Sequence, residues 1–249
     1  MEVTARWGII GGTGLEHLEG VQVEGAMSVS TPYGTPSEDI VFGDLEGVRV
    51  AFLPRHGPDH RLAPHQINYR ANIWALAQHV KAIIAVAAVG SINPSMRPGD
   101  IVLADQVIDY TWGREHTYWD AQAEQMAHVD FTKPYDERVR AKLRQAARAA
   151  AVDIHDGGTY AATQGPRLES AAEIDRLQRD GCDVVGMTGM PEAGLARELG
   201  IPYGCCAVVV NPAAGRGPSA ITMDMIEANL VVGMAKVHRL LRALTAAPE

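Results

Sequence analysis

The stretch GIIGGTGLEHLEG, Gly8–Gly20, joins a short apolar run to a glycine-rich turn near the start of the chain. Closely spaced glycines after a strand expose backbone N–H groups that form a concave anion site. The turn ends in Gly14-Leu15, so it lacks the Gly-Lys-Ser/Thr of a P-loop. It also matches the dinucleotide fingerprint poorly, because the downstream residues VSTPYGTPSED are rich in turn formers. The stretch predicts a sharp turn that holds an anion through N–H groups and the Thr13 hydroxyl, or a turn without a ligand.

The alternation of strand and helix patterns along the rest of the chain predicts an α/β fold. Short apolar runs typical of strands are VRVAFL, AIIAVAAV, DIVLADQVI, DVVGM and CCAVVV. Helical periodicity lies in residues 64–80, 137–151, 169–179, 191–199 and 224–244. Because the middle strands are apolar almost throughout, we expect helices on both faces of the sheet.

Composition limits the class of protein. Of 249 residues, 47% are hydrophobic, and no linker or repeat is visible, so residues 1–249 are expected to form one domain. The net charge of -8 argues against a nucleic-acid partner. There is no basic leader and no apolar run near the ~20 residues that cross a bilayer, so we expect a cytoplasmic protein without membrane contact. The 3 cysteines have no C-x-x-C spacing, which favours buried thiols over a metal site.

Two further segments predict a phosphate site. The loop PRHGPDH, Pro54–His60, places Arg55 and two histidines after an apolar strand, where α/β sheets bind ligands. A guanidinium can hold phosphate through two parallel hydrogen bonds, and a solvated loop charge is the alternative. In GMTGMPEAGLARELG, Thr188 precedes a helix whose N-terminal dipole would favour an anion, although Thr188 could be only an N-cap.

Six segments follow one another in an order and spacing that carry a family resemblance. They are IIGGTGL, TPYGTPS, RHGPDH with PHQINYRANIWAL, VGSINPSMRPGDIVLADQVIDYT, TQGPRLES and VGMTGMPEAGLARELG. Together they resemble the trimeric purine nucleoside phosphorylase and methylthioadenosine phosphorylase family, most of all its bacterial members that cleave S-methyl-5'-thioinosine. The resemblance implies a three-layer α/β/α phosphorylase-type fold with a central mixed sheet. It also implies orthophosphate as co-substrate, no metal, no organic cofactor and a homotrimer.

The resemblance also implies the phosphate ligands. These would be Thr13, Arg55, His56, Thr188 and, through its backbone, Ala88. Preorganised hydroxyl, guanidinium and N–H donors strip water from the anion and aim it at the anomeric carbon. The family usually has Thr, Ser or Asn where this chain has Ala87, which predicts a weakened phosphate site.

For the base, the resemblance implies Glu169 and Asn211. Glu169 would accept a hydrogen bond from N1–H of a 6-oxopurine, and Asn211 would bond O6 and N7. Relatives acting on 6-aminopurines carry Asp at both the Asn211 and the Ala213 positions. A 6-aminopurine would leave two acceptors facing each other, so hypoxanthine or guanine is expected. Without the resemblance, Glu169 could be a first-turn helix acid and Asn211 a turn residue before Pro212.

Four more residues are implied to contact the substrate. Met187 would pack under the ribose, Leu168 stands where many relatives stack an aromatic ring on the purine, and His128 would reach a neighbouring subunit's site. Met223 occupies the position of a histidine that serves the 5'-hydroxyl in relatives acting on ordinary nucleosides. An apolar side chain there favours a methylthio group, unless Met223 is only a core residue.

These features together predict a purine salvage enzyme. The reaction would be phosphorolysis of S-methyl-5'-thioinosine to hypoxanthine and 5-methylthioribose 1-phosphate. Alternatives are an inosine/guanosine phosphorylase, a methylthioadenosine phosphorylase, a phosphate-independent hydrolase and a non-catalytic nucleoside-binding protein.

Overall fold

The computed structural model of the protein describes residues 5–15, 18–119, 128–218 and 220–246. The strands are β1 (Ala5–Gly11), β2 (Gln22–Met27), β3 (Ile40–Leu45), β4 (Val48–Pro54), β5 (Val80–Ser91), β6 (Ile101–Leu103), β7 (Gln106–Asp109), β8 (Ile154–Asp156), β9 (Thr159–Ala162), β10 (Val184–Gly186) and β11 (Tyr203–Pro212). The helices are α1 (Tyr69–Ala77), α2 (Glu137–Ala149), α3 (Ala171–Arg179), α4 (Gly189–Glu198) and α5 (Met223–Ala246). The predicted α/β fold is confirmed.

The described strands form one mixed sheet of 11 strands centred on β5. On one edge β5 pairs in parallel with β11. On the other edge it pairs first in parallel with β1, as far as Ala85, and then antiparallel with β10, from Gly90. The carboxyl ends of β1 and β10 therefore point toward each other along β5. Between them lies a gap in the sheet, opposite residues 86–89.

Helices cover both faces of this sheet. Successive side chains of a strand point to opposite faces, and in β5 Ile83 and Ala85 belong to one buried cluster while Ile84 and Val86 belong to another. Residues of α1 and α4 complete the first cluster, and residues of α2 and α5 complete the second. This arrangement is the three-layer α/β/α fold that the sequence predicts.

The cysteines fit the same two-sided packing. Cys205 and Cys206 are neighbours on β11 and point into opposite clusters. Both are free and buried, as is Cys182. Burial raises the pKa of the Cys206 thiol to about 12. The prediction of buried thiols is confirmed.

Several element boundaries differ from the predicted ones. Helix α1 begins at Tyr69 rather than residue 64, because the Asn68 side chain accepts a hydrogen bond from the N–H of Ala71 and so caps the helix there. The run DIVLADQVI forms two strands, since β6 pairs with β11 and β8 while β7 pairs with β9. Strands β2, β3, β8 and β9 were not predicted. Within the described ranges, no helix has the length and apolar character needed to cross a membrane.

Candidate active site

A cavity of about 630 Å³ opens at the gap between β1 and β10. Among its lining residues are the predicted Thr13, Arg55, His56, Ala88, Leu168, Glu169, Met187, Thr188, Asn211 and Met223. They come from the segments that follow β1, β4, β9 and β10, from β5 and β11 themselves, and from the start of α5. His128 is the exception, because it is exposed and does not line this cavity of its own chain. The fold therefore collects residues that lie far apart in sequence around one space.

Arg55 lies at the floor of the cavity and is paired with Glu192. The Nε group of Arg55 donates to Oε1 of Glu192, and Nη2 donates to Oε2 at 3.1 Å. A third bond runs from Nη1 to the carbonyl oxygen of Val86 at 3.0 Å. Arg55 and Glu192 are 1% and 0% exposed, so the solvated-charge alternative is wrong. Burial by itself lowers the pKa of Arg55, but the Glu192 carboxylate outweighs it and holds that pKa above its ordinary value.

Sequence analysis missed Glu192, although it is the most buried charged residue of the site. Its local pattern, Pro191 followed by Glu192, is typical of any helix start. The Tyr203 hydroxyl donates to Oε2 of Glu192 at 2.8 Å, so the carboxylate is shared between an arginine and a tyrosine. Because its partner Arg55 lies 137 residues away, the sequence around Glu192 contains no pattern that indicates the ion pair.

The glycine turn packs directly onto this ion pair. A Cβ atom at Gly12 would lie 2.8 Å from Nη1 of Arg55 and 2.8 Å from the oxygen of Val86. At Gly14, φ is +79° and a Cβ atom would lie 2.5 Å from the Leu230 side chain. Only glycine fits such positions. The two glycines thus place Thr13, which stands between them, at the wall of the cavity next to Arg55.

His56 contributes a neutral ring to the same end of the cavity. Its Nδ1 donates to the carbonyl oxygen of Leu62 at 2.8 Å, and its ring stacks on His60 with centroids 3.9 Å apart. Burial, with the nearby Arg55 charge, lowers the pKa of His56 to about 4. At neutral pH the ring therefore carries its single proton on Nδ1, and Nε2 remains an acceptor.

Thr188 lies at the N-terminus of α4 but does not cap it. Its side chain makes no capping hydrogen bond, and Met190, two residues later, has non-helical φ and ψ. Its N–H group donates to the Tyr160 hydroxyl at 3.4 Å, and the residue is buried against the cavity wall. The plain N-cap interpretation is therefore wrong.

At the opposite end, Glu169 lies just outside α3. Ser170 is the N-cap and forms a capping box with Glu173, which is the first-turn acid of this helix. Glu169 instead accepts a hydrogen bond at Oε1 from the Thr163 hydroxyl at 2.7 Å. The interpretation of Glu169 as a first-turn acid is therefore wrong, and the residue lines the cavity.

Asn211 belongs to β11 rather than to a turn. It pairs with Gly90 of β5, after a register shift between Val209 and Asn211 that re-aims the side chain. The residue is 5% exposed, and its Nδ2 donates to the carbonyl oxygen of Pro212 at 2.7 Å. A Cβ atom at Gly90 would lie 3.2 Å from Nδ2, so the glycine leaves room for the amide.

Part of the cavity rim is apolar, while the exposed His60 and Arg61 line the cavity as well. Met223, the first residue of α5, is 63% exposed and lines the cavity with Ile221 and Ile226. The interpretation of Met223 as a core residue is therefore wrong. Leu168, also on the rim, is 44% exposed.

Arg114 connects the segment after β9, which carries Glu169, to the segment after β10, which carries Thr188. Sequence analysis did not identify this residue. It is buried and donates to the carbonyl oxygens of Met187 at 2.8 Å and Met190 at 2.7 Å, both after β10. It also donates to those of Thr163 at 3.2 Å and Gln164 at 2.9 Å, after β9. No cluster of three or more His, Cys, Asp or Glu side chains within the described residues could hold a metal ion.

A family model described as the phosphorylase superfamily matches residues 6–246. The chain belongs to the phosphorylase superfamily. It is 53% identical over 242 residues to the "Probable S-methyl-5'-thioinosine phosphorylase" of Pseudomonas syringae pv. tomato, covering 97% of this chain and 98% of the relative. It is 47% identical to the "6-oxopurine nucleoside phosphorylase" of Pyrococcus furiosus, covering 87% and 83% of the two chains.

This phosphorylase-superfamily chain has the same fold as solved structures of methylthioadenosine phosphorylases. Methylthioadenosine phosphorylase from Schistosoma mansoni, in complex with adenine, matches it with a TM-score of 0.93 at 31% identity, covering 98% of this chain and 91% of the other. A methylthioadenosine phosphorylase from an antarctic soil metagenomic library matches with a TM-score of 0.91 at 37% identity, covering 98% and 86%. The predicted family resemblance, phosphorylase-type fold and enzyme class, a pentosyltransferase, are confirmed.

Proposed function

We propose that the protein catalyses the reversible phosphorolysis of S-methyl-5'-thioinosine, yielding hypoxanthine and 5-methylthioribose 1-phosphate. One observation carries the proposal. A single cavity is lined by Arg55, which reaches Val86 of β5, by Asn211, which pairs with Gly90 farther along the same strand, and by Glu169 and the apolar Met223. Relatives of 50–53% identity that are named for this reaction support it.

Orthophosphate is the proposed nucleophile, and neither a metal nor an organic cofactor takes part. The hydroxyls of Thr13 and Thr188, the N–H of Ala88 and the free N–H groups of Arg55 would hold it. The ring of His56, the fifth predicted ligand, would not donate to the anion, because its one N–H is donated to Leu62. A guanidinium has five N–H donors, and three of those of Arg55 serve Glu192 and Val86. The remaining two would aim the anion at C1', in a site that excludes water.

The base end would stabilise the leaving purine. As the glycosidic bond breaks through an oxocarbenium-like state, negative charge accumulates on the base. Glu169 would accept from N1–H, while Asn211 would bond O6 and N7. One N–H of the Asn211 amide is held by Pro212, so a single N–H would be shared between O6 and N7. No protein residue needs to act as a covalent nucleophile.

The sugar end supports the methylthio substrate over an ordinary nucleoside. Met223 and Ile221 cannot donate a hydrogen bond to a 5'-hydroxyl, and an unpaired buried hydroxyl is unfavourable. A methylthio group would gain roughly 0.8 kcal/mol for each methylene-sized portion that these side chains bury. Met187 would pack under the ribose and Leu168 over the base.

The proposal includes a homotrimer. In that assembly His128 would reach the active site of a neighbouring subunit. Its exposed position, away from the cavity of its own chain, supports this role.

The decisive experiment compares kcat/KM for S-methyl-5'-thioinosine and inosine at saturating phosphate. We expect the methylthio substrate to be preferred at least about tenfold, equivalent to ~1.4 kcal/mol. The Met223→His variant should narrow the preference by improving inosine, while the matched Met223→Leu variant should keep it.

Three other outcomes would change the assigned reaction or substrate. Equal use of inosine, or a preference for it, would favour a 6-oxopurine nucleoside phosphorylase, as the Pyrococcus furiosus relative is named. Turnover without phosphate would indicate a hydrolase. Comparable turnover of methylthioadenosine would contradict the roles proposed for Glu169 and Asn211.

A further inference from the structure

The loop of residues 163–169 forms a wall between two cavities. One is the active-site cavity, and the other, of about 520 Å³, lies behind the loop. Pro166 and Leu168 line the active-site cavity, whereas Thr163 and Arg167 line the one behind it. Glu169 lines both. Its carboxylate can therefore be held from behind by groups that never touch the substrate.

Thr163 holds the carboxylate from that side. The residue follows β9, where its N–H donates to the carbonyl oxygen of Gly186 at 2.8 Å and its own carbonyl oxygen accepts from Nη2 of Arg114 at 3.2 Å. Both sides of its backbone are thus tied to fixed elements. Its hydroxyl donates to Oε1 of Glu169 at 2.7 Å. The Gly186 oxygen is farther from the same hydroxyl, at 3.3 Å, and carries no charge, so the single hydroxyl proton goes to the carboxylate.

The two carboxylate oxygens of Glu169 are consequently not equivalent. Oε1 is occupied by the Thr163 hydroxyl. Oε2 accepts no hydrogen bond from any residue in the described part of the chain. A carboxylate without such a tie could turn about its terminal bond and offer either oxygen at many angles. The tie to Thr163, whose backbone is fixed, leaves Oε2 as the oxygen that is available to a ligand, on a residue that lines the active-site cavity.

We propose that Thr163 is a positioning residue that determines the base specificity, by occupying Oε1 of Glu169 and presenting Oε2 to the N1–H group of a 6-oxopurine. This inference rests on the proposed function. A preorganised acceptor is stronger toward a donor than one that must be oriented during the reaction. It is also more unfavourable toward a base whose N1 is itself an acceptor.

The test combines two variants with two substrates. Thr163→Val keeps the shape of the side chain and removes the hydroxyl, and Thr163→Ser keeps the hydroxyl. The substrates are S-methyl-5'-thioinosine and its 1-deaza analogue, in which C–H replaces N1–H. We expect Thr163→Val to lower kcat/KM for the first substrate about tenfold and to leave the analogue within about twofold of the wild type. Thr163→Ser should stay within about threefold of the wild type for both, and KM for phosphate should not change in either variant.

The outcomes separate the two claims. If the wild type prefers the N1–H substrate and Thr163→Val retains that preference, the Thr163 role is overturned while the proposed function stands. An equal loss for both substrates, or a raised KM for phosphate, would also overturn it, because that pattern indicates a purely structural residue. A wild type that does not cleave S-methyl-5'-thioinosine, or does not distinguish it from the 1-deaza analogue, would contradict the proposed recognition of N1–H by Glu169. The proposed role of Thr163 would then fail as well.

Discussion

The Glu192→Gln substitution tests the buried charge arrangement on which the proposed phosphate site depends. Glu192 is the counter-ion of Arg55, and both side chains are almost inaccessible to water. The substitution removes the negative charge and keeps the size of the side chain. It leaves a guanidinium buried without a compensating charge, which is the most unfavourable state of such a pair.

The expected loss of stability is large. Removing one partner of a buried ion pair lowers the free energy of unfolding by about 3–5 kcal/mol. Because Gln retains one side-chain oxygen that can still accept a hydrogen bond from Arg55, we expect a loss near the lower end, about 3 kcal/mol. For a domain of this size each kcal/mol lowers the melting temperature by about 2–4 °C, so we expect a decrease of roughly 6–12 °C. The matched control is Glu24→Gln. Glu24 pairs with Arg49 at 2.8 Å, and both side chains are 46% exposed, so the control should lose only about 0–1 kcal/mol.

Phosphate should partly restore the Glu192→Gln variant. If the two remaining N–H groups of Arg55 face the anion, phosphate supplies the missing negative charge. Calorimetry with and without saturating phosphate should then show a larger upward shift of the melting temperature in the variant than in the wild type. Equal shifts would refute the contact between Arg55 and phosphate. A variant as stable as the Glu24→Gln control would refute the role of the ion pair in stability.

Two further predictions concern the same end of the cavity. Ala87→Thr should lower KM for phosphate about fivefold relative to the isosteric Ala87→Val, since one added hydrogen bond contributes about 1 kcal/mol. Steady-state kinetics measure both values. Equal KM values for the two variants would contradict the explanation that Ala87 lacks a hydroxyl donor for phosphate. His56, whose pKa falls from 6.5 to about 4, binds a proton on unfolding between those pH values, so stability decreases as the pH falls through this window. From pH 7 to pH 5 the free energy of unfolding should decrease by about 2 kcal/mol. Denaturant unfolding should show a smaller decrease in the His56→Asn variant, whose amide does not titrate and can still donate to Leu62.

Long strands that are buried on both faces are the ones most readily predicted from the sequence. The residues of β5 and β11 are almost all buried, so their runs are continuously apolar and easily found. Strand β2, with the sequence QVEGAM, is exposed along its whole length. It is a strand only because β3 pairs with it. Strands β8 and β9 have 3 and 4 residues. The equally short β6, β7 and β10 lie in the apolar runs DIVLADQVI and DVVGM, and β8 and β9 lie in no such run.

The same contrast holds in the site. Thr13 and Arg55 could be predicted because each stands in a local pattern, a glycine turn or a charged loop after an apolar strand. Glu192 and Arg114 act through partners far away in the chain. Arg114 contacts carbonyl oxygens 49 to 76 residues downstream, and any residue type supplies a carbonyl oxygen. Such contacts depend on the fold and leave no pattern in the sequence.

The two ends of the cavity favour their ligands in different ways. At the phosphate end the Arg55 charge is matched by Glu192, and His56 is neutral because its pKa is low. Arg55 and His56 together would therefore hold a dianion through the direction of hydrogen bonds rather than through excess positive charge, and Arg61 is a second arginine that lines the cavity. Each donor then matters individually, so the alanine at position 87 should weaken phosphate binding more than it would in a strongly cationic site. At the other end the Glu169 side chain is tied by the Thr163 hydroxyl, and the residue lines the cavity. Selectivity among nucleosides is therefore expected to arise there and at the apolar rim, while the phosphate end supplies the orientation of the nucleophile.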